Sequence, residues 1–483
     1  MSVLLAALIA ADTILVAPFT PRGDAPVGAG IAVAEGILDA VVQANKDSFL
    51  TLKQLDAVLR RRDLALDDPA VSAIAPDLAR KLGATDVVAG EVWLEGGRWR
   101  ITARHLKVGQ DKPVAITTEE GARAALPALA RKAAQDLLGL RGPMGPLTGS
   151  AAALEEAALC ELQLARQSLG PGARITLPHQ RLSTAEKACK AALQADPKLG
   201  LARAGLAVTL AARGKFAQAR EEAQRAQANR FVPLAVLAES FAARKQREST
   251  EWRGILERAV IERRGFLHAL GYLAEDRMEQ GDDEAALAIL DRYLMVSPGH
   301  PWAMAKKARQ LARTGRLEAA VTLSEQALAL DPGDPELLIE TASRYIDAAR
   351  DARAEPVLIQ ALQATPPRPL AALRIAELYL RTDKLSLARQ ALERCLQLAT
   401  REDEARTRGI AHADLARVNA RQDRYEDAVS ELQKARGEGN NRLPCGEPEL
   451  SRWKDRDELR QVCVEAEAAF AAGESEDAVP VEF

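Results

Sequence analysis

The apolar positions change period several times along the first 140 residues. TILVAPF (13–19) is a continuous apolar run and predicts a buried strand. GIAVAEGILDAVVQAN predicts an apolar helix, SFLTLK a second strand and QLDAVLRRR a short helix. APDLARKLGA predicts another helix, closed by Gly83. The stretch GATDVVAGEVWLEGGRWRITARHL (83–106) alternates instead. A two-residue turn at Gly96-Gly97, with positive φ at both places, pairs Leu94 with Trp99, Val92 with Ile101 and Gly90 with Ala103 on one face. The other face pairs Glu95 with Arg98, Trp93 with Arg100 and Glu91 with Thr102, so opposite charges meet across the strands and Arg100 lies over Trp93. One apolar face and one charged face predict a sheet edge. KPVAITTEE and a helix from Pro127 to Leu138 complete an α/β domain with an early strand–helix–strand and a late antiparallel meander.

GLRGPMGPLTGS (139–150) carries four glycines and two prolines, which places a linker at 141–150. Beyond it nearly everything reads as alanine-rich helix with a repeat. Ala274, Ala308, Ala342 and Ala376 lie 34 residues apart, as do Ala286, Ala320, Ala354 and Ala388, and Pro298, Pro332 and Pro366. Each period holds two helices. In one unit Ala303 to Thr314 forms the first, ended by Gly315, and Leu317 to Leu330 the second, ended by Asp331-Pro332. The alanines at the eighth and twentieth places sit where the two helices cross, with Leu311, Leu317 and Leu323 around them. The turn column runs back through Arg247 and Gly214, and forward from Asp383 to Asp423 across six extra residues in REDEARTR. STAEKACKAALQADP fits as an earlier second helix, with Ala185 and Pro197 in register, its first helix lying at 151–168. About seven units fill 151–442, the one at 233–266 being the most degenerate. A helix within 443–472 caps the array through Trp453, Leu459, Val462 and Cys463, and the acidic tail 473–483 reads as disordered.

These columns resemble tetratricopeptide repeats, which have 34-residue helix-turn-helix units, small residues at places 8 and 20 and proline near 32. The resemblance implies a mainly α fold, an α-solenoid wound as a right-handed superhelix, here preceded by a small α/β domain with a mixed sheet. That domain in turn resembles the TolB-like amino-terminal domain, related to FlgO and CsgG-like envelope domains. The matching residues, over roughly 12–140, are ILVAPF, AEGILDAVV, Leu82-Gly83, Asp86, Gly97-Arg98 and Arg100 to Ala103. The resemblance marks a fold and implies a bacterial envelope setting. It carries no catalytic site.

Composition narrows the reading. At 483 residues the chain exceeds one ordinary core, and 47% hydrophobic with 28% charged residues is that of folded protein. Only 4% is aromatic, so alanine and leucine do the packing. A net charge of -3 gives no field that would draw nucleic acid. No run of 18 apolar residues is present to span a membrane. MSVLLAALIAA (1–11) resembles a short secretory signal cleaved after Ala11, without a preceding Lys or Arg; the alternative is an apolar lead-in to the first strand.

No chemistry emerges. His105, His179, His268, His300 and His412 are scattered without metal-ligand spacing and read as surface or turn residues, His105 as a hydrogen-bonded residue of the hairpin edge. Cys-x-x-Cys, Gly-x-Ser-x-Gly and the glycine-rich phosphate loops are absent, so no catalytic residue, cofactor or metal is expected. Of Cys160, Cys189, Cys395, Cys445 and Cys463, a bridge between Cys445 and Cys463 would pin the last helix in an exported protein; in a reducing compartment all five are thiols.

Binding remains. The repeat resemblance implies a concave groove lined by first-helix places 2, 5, 6, 9, 12 and 13. Carried over by register, these include Tyr272, Glu275, Lys306, Arg309, Arg313, Ile339, Ser343, Arg374, Glu377, Arg381, Arg417 and Arg421. Basic residues are frequent there, which suits an acidic protein or peptide partner. The expectation is a non-enzymatic scaffold or adaptor in the bacterial periplasm or envelope, or alternatively a cytoplasmic regulatory scaffold of the same architecture.

Overall fold

A computed structural model describes residues 12–26, 28–44, 48–60, 64–140, 151–164, 179–228, 230–246, 250–364, 367–400 and 404–471. The leader 1–11, the linker 141–150, the tail 473–483, Arg247 and Pro366 lie outside the described residues.

The sheet is mixed. β1 (Thr13–Val16), β2 (Thr20–Gly23), β3 (Ser48–Leu50), β4 (Asp86–Glu95), β5 (Arg98–Lys107) and β6 (Ala115–Ala122) are arranged β3-β1-β4-β5-β6, with β2 paired parallel to β4 beyond the end of β1. β1 is parallel to both β3 and β4, as an early strand–helix–strand requires. α1 (Ala29–Gln43) makes that crossover; α2 (Leu52–Arg60), α3 (Ala70–Lys81) and α4 (Leu126–Leu138) complete the domain. β2 was not anticipated, because TPRG reads as a turn. Its proline is accommodated because a strand that pairs on one side needs no second ladder of N–H donors.

β4 and β5 pair in the register set by Gly96-Gly97, Leu94 opposite Trp99 and Trp93 opposite Arg100. Both turn glycines have positive φ, 54° and 75°. Trp99 is fully buried and its indole N–H donates to the Arg123 carbonyl. Gly90 has a packing reason: a Cβ there would lie 2.0 Å from the Thr102 carbonyl oxygen. The hairpin is not the sheet edge, however. β6 adds to β5 along its length, and Arg100 reaches across to Glu120 at 2.7 Å rather than stacking on Trp93.

The chain divides into two compact units, residues up to Ala303 and residues from Met304. The first holds the α/β domain together with the helix pairs α5 (Ala151–Leu164) and α6 (His179–Ala195), α7 (Gly200–Ala212) and α8 (Phe216–Gln227), α9 (Pro233–Lys245) and α10 (Glu251–Glu262), and α11 (Leu267–Glu279) and α12 (Asp283–Val296). One continuous apolar core runs from Ile14 and Val33 through Phe49 and Leu55 to Phe266, Leu270 and Tyr293. The later pairs are α13 (Pro301–Arg313) and α14 (Leu317–Leu330), α15 (Pro335–Asp347) and α16 (Asp351–Leu362), α17 (Pro369–Arg381) and α18 (Leu385–Leu398), and α19 (Ala405–Arg421) and α20 (Tyr425–Gly437). That makes eight pairs among the described residues, against about seven units expected over 151–442. The cap is two pieces, α21 (Pro448–Ser451) and α22 (Asp457–Ala471). Leu450, Leu459 and Val462 share a core with Ala416, Ala420 and Leu432.

The alanine columns are at the crossings. Ala274, Ala308, Ala342, Ala376, Ala286, Ala354 and Ala388 are fully buried and Ala320 is 1% exposed. Small side chains there let the paired helices close up. The turn column is equally regular. Gly214, Gly281, Gly315, Ala349, Asp383 and Asp423 all have positive φ, between 54° and 79°. Each is followed by an N–H that bonds back to the last turn of the first helix, as Arg316 N to Leu311 O and Lys384 N to Tyr379 O, both 2.8 Å. This is the glycine-type helix stop, which alanine and aspartate adopt only against the steric preference of their Cβ.

Candidate partner-binding face

In the first unit the first-helix face is already covered. Phe49 of β3 forms an isolated parallel bridge with Phe266, and their rings stack at 5.8 Å between centroids. The Thr51 hydroxyl and His268 Nδ1 are 3.1 Å apart and buried. His268 packs its ring on Tyr272. Gln43 of α1 donates to the Phe231 carbonyl, and Arg230 pairs with Asp39 of α1. Tyr272 and Glu275, two of the residues that the register assigns to a partner groove, are therefore 5% and 1% exposed. Their places on α11 belong to the interior of the first unit, not to a free surface.

In the second unit the same places form a charged ladder on α13, α15 and α17. Place six holds Lys306, Glu340 and Arg374; place nine holds Arg309, Ser343 and Glu377. Glu340 was not singled out from sequence, although the register alone points to it. Burial pushes its carboxyl pKa up, but Lys306, Arg344, Arg309 and Arg374 outweigh that and hold it below the ordinary value. Arg344 bonds Glu340 and Asp347, and Arg374 bonds Glu377 at 2.7 Å. Ile339 and Ser343 are buried, the Ser343 hydroxyl donating to the Ile339 carbonyl at 2.8 Å, so neither is presented to a partner. Arg313 is exposed at the end of α13.

The remaining arginines of the list are committed to neighbouring elements. Arg381 donates to the Ile346 carbonyl and Arg421 to the Leu380 carbonyl. Arg417 pairs with Asp414 and with Glu447, and Arg421 with Glu449. Glu447 and Glu449 open the cap, so the cap neutralises this end of the strip. Burial pushes the Asp414 carboxyl up to about 6 despite Arg417. Lys306 and Arg309 differ from the others: among the described residues neither forms an ion pair, both act on Glu340, which Arg344 already bonds, and Arg309 is exposed.

His105, His268 and His300 are interior residues; the expectation of surface or turn positions fails for His268 and His300, while His105 is hydrogen-bonded on the hairpin as expected but not at the sheet edge. His105 Nε2 donates to the Asp86 carboxylate at 2.6 Å within the sheet, and His268 lies against Thr51. His300 sits among Tyr293 and Trp302, backed by Gly83, with its titration pushed down to about 3 by burial. His412 pairs with Glu431. Among the described residues no cluster of His, Cys, Asp and Glu could hold a metal ion. Cys445 and Cys463 are joined in a disulfide, and so are Cys160 and Cys189, which bridge α5 to α6. The second bridge was not foreseen because the insertion hides how close those helices come. Cys395 is a buried thiol, pushed up to about 12 by burial.

A tetratricopeptide-repeat family matches residues 277–339. No curated protein matches the chain. Among solved structures, the MamA protein of Desulfovibrio magneticus is 20% identical with a TM-score of 0.29, covering 39% of this chain and 97% of that one. A tetratricopeptide repeat protein of Parabacteroides merdae is 13% identical with a TM-score of 0.35, covering 60% and 93%. Yeast Tom70 is 15% identical with a TM-score of 0.42, covering 66% and 64%. The chain thus carries tetratricopeptide repeats beside a small mixed α/β domain, and no described helix is long and apolar enough to cross a membrane.

Proposed function

We propose that this protein is a non-enzymatic interaction scaffold whose second unit binds an acidic protein segment along α13, α15 and α17. The observation that carries the reading is the pair Lys306 and Arg309. Arg374, Arg381, Arg417 and Arg421 are each bonded to a carboxylate, a carbonyl or the cap, while these two have no ion pair or hydrogen-bonded side-chain partner among the described residues and lie beside the already bonded Glu340. A partner carboxylate laid against α13 would complete their pairing at little reorganisation cost. Exposed charges contribute more to encounter rate and register than to affinity, so apolar contacts of the partner supply the rest.

The test uses a labelled glutamate-rich peptide and fluorescence anisotropy. Salt-sensitive binding that falls at least tenfold in Lys306→Glu/Arg309→Glu is expected; equal binding by that double variant, folded by circular dichroism, would sink the assignment.

The setting proposed is the bacterial periplasm or envelope, with the α/β domain acting as a TolB-like module. Two disulfides support an oxidising compartment. Mass analysis of protein purified from its native host, before and after thiol alkylation, checks this. An intact Met1 with five alkylatable thiols would place it in the cytoplasm instead.

A further inference from the structure

We propose that the cavity beneath α1 in the first unit is a binding site for a small uncharged aliphatic molecule carrying one hydrogen-bond donor. The cavity measures about 70 Å³. Its apolar wall includes Leu38 and Val42 of α1, Leu154 of α5, Leu201 of α7 and Leu234 and Leu237 of α9. The last three stand at places two and five of their first helices, the face used as the binding strip in the second unit. Here α1 lies over that face, and the cavity is the partly open space between them. At roughly 10–15 Å³ for each water-sized group, it accepts about five to seven heavy atoms.

The polar groups define the head of the ligand. Asp39 and Arg230 both line the cavity and are paired with each other through Asp39 Oδ1, to which Gln43 also donates. Arg131 adds a second positive charge near Asp39. An ammonium head would meet two guanidinium groups, and a carboxylate head would have to displace Asp39. Glu35, the other carboxylate of the lining, already has a partner of its own, so neither ion gains a free counter-charge. Asp39 Oδ2, by contrast, is buried and accepts no hydrogen bond. A hydroxyl supplies the one donor this oxygen takes, and leucine walls favour a branched carbon chain over further polar groups.

The probe is 3-methylbutan-1-ol added to the full chain. Saturable binding at millimolar concentration is expected, by thermal shift and by nuclear Overhauser contacts from its methyl groups to the Leu237 methyls. 3-Methylbutanoate, 3-methylbutylammonium and the donor-free methyl ether of the alcohol should each bind at least tenfold more weakly. Leu237→Trp, which fills the cavity, should abolish binding, and Leu201→Phe provides the same readout should Leu237→Trp fail to fold. The absence of saturable binding or of methyl contacts would overturn the site. Equal binding of the carboxylate, the ammonium or the ether would overturn the reading of the head group.

Discussion

Thr51 and His268 lie 217 positions apart in the chain and share a buried contact of 3.1 Å. Thr51 follows the third strand of the sheet, and His268 stands at the second place of a repeat helix. The contact therefore joins an α/β domain to the first-helix face of a repeat. With Phe49 on Phe266 beside it, the first unit treats its own sheet edge as the occupant of that face.

Phe49 should accordingly be worth more than a strand residue usually is. It is 2% exposed and stacks on a fully buried Phe266. Phe49→Ala removes a ring from a core shared by both parts and should cost about 3–5 kcal/mol in urea unfolding. Thr51→Val removes a buried hydroxyl that contacts both His268 Nδ1 and Gln54 and should cost about 1–3 kcal/mol. A loss under 1 kcal/mol for the phenylalanine, on the order of a surface substitution, would mean the sheet edge only rests on the helices.

That relationship also marks the limit of what the sequence makes legible. Ala308, Ala320 and Gly315 announce the repeat because helix crossings and helix stops depend on residues within one 34-residue period. The hairpin register was legible for the same reason: Gly96-Gly97 fixes it locally. The burial of Tyr272 and Glu275 was not, because it depends on a strand some 220 residues earlier, and no periodicity carries that information. His268 and His300 read as surface residues until the α/β domain is laid over them. Glu340 is a different case. It lies 34 residues from both Lys306 and Arg374, so the period alone assigns it to place six of the strip.

Acid should weaken the first unit through His300. Burial lowers its titration to about 3, whereas an unfolded histidine titrates near 6.5. Above 6.5 both states are neutral and the stability is fully present. As pH falls, the unfolded state takes up the proton first and stability is lost progressively toward the folded value. Between pH 6.5 and 5 the loss from this one group should be about 2 kcal/mol. His300→Phe keeps an aromatic ring against Tyr293 and Trp302 and removes the titration. The difference in unfolding free energy between the two proteins should widen by that amount over the interval; parallel pH curves would show that His300 already has a proton-accepting partner.

The turn column offers gains in stability. Ala349 holds φ of 54° at a place where neighbouring repeats use Gly281 and Gly315. An alanine Cβ in the left-handed region costs about 1–2 kcal/mol, and the extra freedom of glycine in the unfolded chain takes back part of this. Ala349→Gly should therefore raise stability by roughly 0.5–1 kcal/mol, without altering peptide binding, since the turn is remote from the α13–α17 strip in register. The reverse change, Gly315→Ala, should cost a comparable amount. A destabilising Ala349→Gly in thermal unfolding would contradict the left-handed assignment.

The two disulfides should be separable in their effects. Cys160–Cys189 ties α5 to α6 across 29 residues, while Cys445–Cys463 ties the cap to itself across 18. By loop closure each constrains the unfolded chain by about 3–4 kcal/mol, the longer slightly more. Their folded-state consequences differ. α5 packs against α1, α6 and α7, so Cys160→Ser/Cys189→Ser should lower the main unfolding transition of the first unit. Cys445→Ser/Cys463→Ser should instead loosen the cap, which holds Glu447 and Glu449 against Arg417 and Arg421. Loosening withdraws the cap carboxylates from those two arginines, which keep Asp414 and the Leu380 carbonyl as partners, so this variant should bind the glutamate-rich peptide modestly more tightly than the parent at low salt, the gain disappearing as salt screens the exposed charges. Unchanged peptide affinity in the cap variant would show that the cap stays seated by its leucine and valine contacts alone, with the disulfide adding only to the unfolded-state constraint.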